Sequence, residues 1–158
     1  MALEAELAPI ELWCSPDSEH PFFREFDGKL TLRVQEGHDL GERMLKASQS
    51  AEAERCRSVI IGTDCPAIDA PYLDDAMTKL LNHDAVLGPA EDGGYGLIGL
   101  SRADAAVFEN ITWSTHRVCA ETCSRFNLLK FNWSLLTLIW DVDRPEDLRR
   151  WRTTTEND

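Results

Sequence analysis

The most informative segment of this chain is VIIGTDCP, residues 59–66. Val59, Ile60 and Ile61 are apolar and β-branched, which is typical of a buried strand. The strand runs directly into Asp64, and ligands of open α/β sheets bind beyond the carboxyl ends of the strands. The segment therefore predicts an α/β sheet whose edge carries Asp64 in the position of a metal ligand. The alternative is that Asp64 only caps a turn before Pro66.

On both sides of this segment, strand and helix patterns alternate. Strands are predicted at residues 58–62, 84–89, 95–100 and 135–140, with a weaker one at 10–14. Helices are predicted over residues 39–53, from an N-cap at Asp69 to about Asn82, from Ser114 towards Leu128, and from Pro145 onward. Residues 15–29 are expected to form an irregular connection. The order favours one layered α/β domain over residues 1–158, with a largely parallel sheet and a polar tail at 151–158.

Composition narrows the class of function. The chain has 158 residues, 43% of them apolar, and a formal net charge of −12. These values fit a globular domain and argue against a disordered or fibrous chain. No basic face is visible, so a nucleic-acid partner is not expected. The acidic balance suits a site that binds Mg²⁺ or Mn²⁺ before an anionic substrate.

The cysteine count and the lengths of the apolar runs indicate the cellular compartment in which the protein is expected. The chain has five cysteines, an odd number, with no leader peptide in front of them, so free thiols are expected. Cys119 and Cys123 would share a helix face, where packing is favoured over half of a zinc site. No apolar run approaches the roughly 20 residues that span a bilayer. We therefore expect a cytoplasmic protein without a membrane partner.

A second acidic loop is GPAEDGGY, residues 88–95, between two predicted strands. Its adjacent glycines, Gly93 and Gly94, permit positive φ angles and let backbone N–H groups approach a phosphate or a sugar. An ordinary hairpin would use the same turn, and that alternative stays open. Glu91 beside Asp92 is more acidity than a turn needs. The GxGxxG match at 94–99 lies within an apolar strand pattern, so it does not predict a dinucleotide site.

Two further motifs carry candidate residues. In WDVDRPEDL, residues 140–148, Asp141 and Asp143 would project on one side of a strand end and could share a cation, unless Asp143 only caps the following helix. In ITWST, residues 111–115, Trp113 could stack on a sugar or base or pack in the core. Ser114 or Thr115 could be simply an N-cap. Three acidic strand ends in one domain favour a shared cation over three separate caps.

These motifs, in this order, resemble the DUF2064 proteins, a bacterial group assigned as glycosyltransferases. The resemblance also includes QEGHDLGERM at 35–44 and spans about residues 10–150. These proteins are similar in turn to the molybdenum-cofactor and 2-phospholactate guanylyltransferases, a branch of the nucleotide-diphospho-sugar transferases. The resemblance implies a GT-A-like, Rossmannoid three-layer α/β sandwich. It also implies a nucleotide-sugar or nucleotide as substrate, with a small acceptor.

The resemblance assigns roles to individual residues. Asp64 matches the position that binds Mg²⁺ or Mn²⁺, and Asp143, or Asp141 in its place, matches the second carboxylate. The acceptor-side loop is matched by Asp92, Gly93, Gly94 and Tyr95, with Asp92 as the candidate catalytic base. The segment near the nucleotide is matched by Gln35, Asp39, Gly41 and Arg43. Trp113 and Ser114 complete the candidate binding residues.

The start of the chain departs from the family pattern. Members begin with a strand and a glycine-containing loop with a Lys-Thr-Arg-like motif, and nothing of that kind precedes Ile10. We expect the chain to lack roughly 50 to 70 residues, estimated from one βαβ unit, and to expose sheet edges that invite a homodimer.

Two functions from different classes therefore compete. One is a metal-dependent glycosyl or nucleotidyl transferase, and the other is a non-catalytic binding or dimerisation module. An Asp-x-Asp phosphohydrolase is disfavoured, because that chemistry needs downstream motifs and only 15 residues follow Asp143.

Overall fold

The computed structural model describes residues 9–26 and 28–155, which form alternating strands and helices. The strands are β1 (Glu11–Cys14), β2 (Thr31–Val34), β3 (Ser58–Ile61), β4 (Ala85–Pro89), β5 (Tyr95–Leu100) and β6 (Trp133–Leu135). The α-helices are α1 (Pro21–Arg24), α2 (Leu40–Ala53), α3 (Ala70–Leu80), α4 (Val118–Leu128) and α5 (Pro145–Thr155). A short 3₁₀ turn spans Ala105–Val107.

The starts of α2 and α3 follow from their capping residues. The Asp39 carboxylate accepts the backbone N–H of Glu42 at 2.8 Å, and the Asp69 carboxylate accepts that of Tyr72 at 2.8 Å. Each bond satisfies an N–H group that has no partner within the helix. The predicted N-cap at Asp69 is thus confirmed.

The main sheet has four strands in the order β3-β5-β4-β6. β5 is antiparallel to both β3 and β4, whereas β4 and β6 are parallel. The sheet is therefore mixed rather than largely parallel, because the tight loop after β4 reverses the chain into β5. The carboxyl ends of β3, β4 and β6 nevertheless lie at one edge, together with the start of β5.

β1 and β2 form a separate two-stranded parallel sheet. The strand at β2 was not predicted, because it is only four residues long and carries the charged Arg33. Arg33 lies 2.9 Å from the carboxylate of Glu11 on the neighbouring strand. This cross-strand ion pair fits a polar, partly exposed strand that a search for apolar runs misses.

The four-stranded sheet is covered on both faces, because successive strand residues point to opposite sides. On one face, Val86 and Leu97 belong to a core with α3 residues Leu73, Ala76 and Leu80. On the other face, Leu87 and Ile98 belong to a core with Met44 of α2 and Phe126 of α4. The predicted three-layer α/β fold is confirmed.

The predicted strand at residues 135–140 is wrong in its extent. β6 ends at Leu135. Beyond it, the backbone N–H of Leu136 donates to the carbonyl of Leu87, and that of Ile139 donates to the carbonyl of Pro89, each at 2.9 Å. Between these points the chain bulges outward, and the Tyr72 hydroxyl holds the bulge by donating to the carbonyl of Thr137 at 2.9 Å. Leu138 is 58% exposed there, so its apolar character does not mark a buried strand.

The helix predicted from Ser114 begins four residues later, at Val118. Ser114 has φ +60°, a left-handed backbone that cannot start a right-handed helix. At the end of the chain, α5 continues through residues 151–155, and the rest of the predicted polar tail lies outside the described residues. Within the part of the chain that the structure describes, no helix combines the length and apolarity needed to cross a bilayer.

Candidate functional site

Three carboxylates converge at the edge of the sheet. Asp92, Asp141 and Asp143 each offer one oxygen, and these oxygens lie within 4.8 Å of one another. Asp92 follows β4, and the other two follow the short parallel bridge between Ala90 and Ile139. Two chain segments far apart in sequence thus form one acidic cluster, called the carboxylate triad below.

The loop that carries Asp92 is a tight turn closed by a hydrogen bond to its side chain. The backbone N–H of Gly94 donates to Oδ1 of Asp92 at 2.7 Å, which is the turn chemistry expected of an Asp-Gly sequence. This bond accounts for one carboxylate oxygen of Asp92. The turn does not explain why Asp141 and Asp143 lie close to Asp92. Asp92 therefore both stabilises the turn and belongs to the triad.

Asp143 is not the residue that caps α5. The carboxylate of Asp147 accepts the backbone N–H groups of Asp143 at 3.3 Å and of Arg144 at 2.8 Å. A carboxylate three positions into a helix that bonds back to the N-cap position is half of a capping box. The capping interpretation of Asp143 is therefore unnecessary, and its carboxylate lies in the triad instead.

Burial and neighbouring negative charges raise the pKa of Asp141, one member of the triad. Asp141 is half-buried, and its pKa is raised first by desolvation and then by the charge of Asp92, with smaller effects of Asp143 and Asp64. Clustered carboxylate oxygens are the ligands that hard divalent cations prefer. The donor set fits Mg²⁺ or Mn²⁺, because such an ion would offset the mutual repulsion.

Asp64 flanks the triad rather than joining it. Among the described residues, the set of mutually close ligand atoms contains the three aspartates but not Asp64. Its backbone carbonyl accepts the N–H of Val142, between the two late aspartates, at 2.9 Å. Its carboxylate accepts a hydrogen bond from the Cys65 thiol at 3.6 Å. Burial, and secondly the negative charge of this carboxylate, raise the pKa of Cys65 to about 12. Asp64 therefore contributes charge beside the cluster.

Gly93 fixes the acidic loop against the start of α4. Its φ is +89°, and a Cβ at this position would overlap the carbonyl oxygen of His116. The carbonyl of Gly93 also accepts the backbone N–H of Cys119 at 3.0 Å. Only glycine combines this backbone angle with such a close approach. The structure thus assigns Gly93 a packing role, and Gly94 the turn bond to Asp92.

Two aromatic candidates, Tyr95 and Trp113, are partly buried and pack against α2. The Tyr95 hydroxyl donates to Sδ of Met44 at 3.9 Å, and burial raises the pKa of Tyr95 above its ordinary value. Trp113 is half-buried against α2, where a Cβ on Gly41 would lie 2.6 Å from its indole ring. The structure shows the packing contact of Trp113, and a role of its exposed part in stacking on a sugar or base stays a prediction.

The residues expected near a nucleotide form a small network at the start of α2. Arg43 donates from Nη1 to Gln35 at 3.3 Å and from Nε to the carbonyl of Gly37 at 3.3 Å. Gln35 in turn donates to the carbonyl of Trp13 at 3.0 Å. Asp39 is used as the cap of α2. Ser114 is exposed and has no part in this network.

Arg150 on α5 is a residue that the sequence did not single out. Its guanidinium donates to both carboxylate oxygens of Glu91, at 2.8 and 3.0 Å. The same group lies 4.4 Å from the centroid of the Trp140 ring. The partners are 59 positions apart, so no local pattern predicts the pair. The sequence feature that pointed to such a contact was Glu91 itself, an acidic residue that the turn does not require.

Known proteins support the family expectation. Residues 1–115 match the model of a family described as uncharacterized proteins conserved in bacteria, DUF2064. A stretch of 99 residues is 26% identical to the 2-phospho-L-lactate guanylyltransferase of Methanocaldococcus jannaschii, covering 61% of this chain and 43% of that protein. A crystal structure from Desulfovibrio desulfuricans, provisionally described as a nucleotide-diphospho-sugar transferase, is similar with a TM-score of 0.78.

That similarity has 30% sequence identity and covers 86% of this chain and 62% of the other. The chain therefore spans less than two thirds of the length of either relative. The family match covers most of the chain and includes β1 to β5, the acidic loop and Trp113. The chain accordingly belongs to the DUF2064 family.

Proposed function

We propose that the protein is a metal-dependent transferase that acts on a nucleotide or a nucleotide-sugar. The observation that carries this proposal is the carboxylate triad, whose three oxygens lie within 4.8 Å of one another at the sheet edge. Ligands of open α/β sheets bind at this edge. The similarity to a guanylyltransferase and to a nucleotide-diphospho-sugar transferase supports a nucleotide as the ligand class.

The proposal gives Asp92 a different role from that of a catalytic base. Its carboxylate shares the triad with Asp141 and Asp143, so we assign all three as ligands of Mg²⁺ or Mn²⁺. Such a cation, when bound, supplies neutralisation of the charge that develops on a phosphate leaving group. Asp64 strengthens the negative potential of the site from beside the triad, without ligating the ion.

Arg43 is the proposed contact for the anionic part of the substrate. Its guanidinium is held by Gln35 and by the carbonyl of Gly37, each at 3.3 Å. An arginine has five N–H donors, so two bonds fix its orientation and leave further donors for phosphate oxygens. The fixed geometry lowers the entropy cost of binding.

The test is equilibrium binding of nucleoside triphosphates and nucleoside-diphosphate sugars, with and without Mn²⁺. The variants are Asp92→Asn and, as a control, Asp74→Asn. Asp74 is exposed on α3 and borders a groove with Arg55 and Ser101, at the opposite edge of the sheet. We expect Mn²⁺-dependent nucleotide binding in the wild type and in Asp74→Asn, and its loss in Asp92→Asn.

The competing assignment, a non-catalytic binding module, predicts a different result. Mn²⁺ binding without binding of any member of the panel would contradict the transferase proposal. If nucleotides bind, the product distinguishes the two chemistries: release of pyrophosphate from a triphosphate indicates nucleotidyl transfer, and release of a nucleoside diphosphate from a nucleotide-sugar indicates glycosyl transfer.

A further inference from the structure

Arg150 links the two loops that carry the triad. It bonds both oxygens of Glu91, the residue before Asp92, at 2.8 and 3.0 Å. Its guanidinium also lies over the ring of Trp140, the residue before Asp141, at 4.4 Å. One side chain from α5 therefore contacts the direct neighbours of two triad members.

The contacts of Arg150 with Glu91 and Trp140 have a geometry that fixes the orientation of all three side chains. A guanidinium that forms two parallel bonds to a carboxylate restrains both groups in one plane, and its flat face can stack on an indole at the same time. The backbone bond from the Glu91 N–H to the Ile139 carbonyl, 3.0 Å, joins the same two loops one residue away. Together these contacts join the two loops at the residues next to Asp92 and Asp141.

A role in stability alone does not account for Arg150. The side chains of Arg150 and Glu91 are 47% and 49% exposed, and exposed ion pairs contribute little to folding. The triad, in contrast, consists of like charges that repel one another and must be held close for a cation to bind. A restraint that adds little to stability can therefore still raise the metal affinity, by a factor similar to its own modest contribution.

We infer that Arg150 is a positioning residue that holds Asp92 and Asp141 at the spacing a divalent cation requires. This inference rests on the proposed metal site and deepens it. Arg150 acts through Glu91 and Trp140 and does not itself contact the cation.

Charge and positioning predict opposite effects of removing Arg150, which makes the inference testable. Loss of a positive charge next to a cation site strengthens cation binding through electrostatics. Loss of the restraint weakens it, because the triad must then be ordered by the metal. Weaker Mn²⁺ binding in Arg150→Ala can therefore not be a charge effect.

The experiment is calorimetric titration of Mn²⁺ into the full chain. The variants are Arg150→Ala, Arg150→Lys, which keeps the charge but not the two-pronged bond, and Arg149→Ala as a control. Arg149 is the exposed neighbour on the same helix, and its substitution changes the charge equally. We expect Arg150→Ala to raise the dissociation constant by up to about 5-fold, because an exposed ion pair can favour one arrangement of the loops only by a factor of that size. Arg150→Lys should lie between it and the wild type.

The outcomes separate this inference from the proposed function. Wild-type affinity in Arg150→Ala and Arg150→Lys, with Mn²⁺ binding intact, would overturn the positioning role and leave the metal site standing. Absence of Mn²⁺ binding in the wild type would overturn both. Weaker binding in Arg150→Lys supports the role even if Arg150→Ala folds poorly, and Arg149→Ala should bind as the wild type does or slightly tighter.

Discussion

The backbone N–H of Glu91 donates to the carbonyl oxygen of Ile139 over 3.0 Å. This bond extends the pairing of β4 beyond its last residue and joins the loop of Asp92 to the segment of Asp141 and Asp143. The carboxylate triad is thus a consequence of sheet topology, because parallel segments end at one edge. The bulge at Thr137 and the return of the chain at Ile139 set which residues reach that edge.

The first prediction concerns the repulsion within the triad. Two unit charges about 5 Å apart in water repel by roughly 1 kcal/mol. Asp141→Asn removes one of these charges at nearly constant volume, so the free energy of unfolding without metal should rise, by up to about 1 kcal/mol. Urea unfolding in the presence of a chelator measures this change. A variant less stable than the wild type would contradict the picture of a repulsive cluster.

The second prediction concerns the close approach at Gly93. In Gly93→Ala, a Cβ must adopt φ +89° and displace the His116 carbonyl, so the free energy of unfolding should fall by more than about 3 kcal/mol. The matched control is Gly28→Ala, which has φ +75° but, among the described residues other than its own chain neighbours, no atom within 4 Å of the new Cβ. The control should lose only about 1 kcal/mol, the cost of the backbone angle. Equal losses in chemical denaturation would show that the His116 contact is unimportant.

The third prediction concerns the packing of Trp113 on Gly41. Alanine is favoured over glycine within a helix by up to about 1 kcal/mol, but here its Cβ would lie 2.6 Å from the indole ring. The clash should win, so Gly41→Ala should destabilise the protein by about 1 to 3 kcal/mol.

A double-mutant cycle isolates the cause. In a Trp113→Leu background the clash with the ring is gone, and Gly41→Ala should be close to neutral. The Cβ of Phe108 remains 3.2 Å away, which limits any gain from helix propensity. Additive effects of the two substitutions would contradict a direct contact between them.

The fourth prediction concerns pH and the loop before α4. The carboxylate of Glu121 accepts the backbone N–H of Thr112 at 2.6 Å and is bridged by Arg117 at 3.4 Å. These contacts, the Thr112 bond first, lower the pKa of Glu121 below its ordinary value of 4.5. A carboxyl whose pKa is lowered in the folded state contributes stability above its unfolded pKa and loses it as the pH falls through the folded value.

Wild type should therefore be more stable than Glu121→Gln at pH 7, and the difference should shrink as the pH falls through and below 4.5. Urea unfolding of both proteins across this range provides the measurement. A difference that stays constant with pH would show that the charge of Glu121 has no part in holding the loop.

The sequence predicted those strands and helix starts that are determined by a short apolar run or by a capping residue. β3, β4 and β5 are found within one residue of the expected ranges, and Asp69 caps α3 as expected. β2 was missed because its four residues include Arg33, whose strand conformation depends on Glu11 across the sheet. The start of α4 was placed too early, because nothing local in the sequence marks the left-handed backbone of Ser114.

The site was only partly predictable, for a related reason. The motifs marked Asp64, Asp92, Asp141 and Asp143 as acidic strand ends, and the structure places all four at one edge. Which of them are mutually close depends on the bridge of Ala90 with Ile139, a pairing between distant segments. The contact of Arg150 with Glu91 also spans a long separation, so it is visible only in the structure.

Calorimetric titration of Mn²⁺ into the wild type, Asp141→Asn and the control Asp74→Asn measures directly whether the triad binds a cation. We expect one Mn²⁺ site in the wild type, an unchanged site in Asp74→Asn, and loss of binding in Asp141→Asn with the fold retained. Equal binding in all three proteins, or no binding in the wild type, would show that Asp92, Asp141 and Asp143 do not form a cation site.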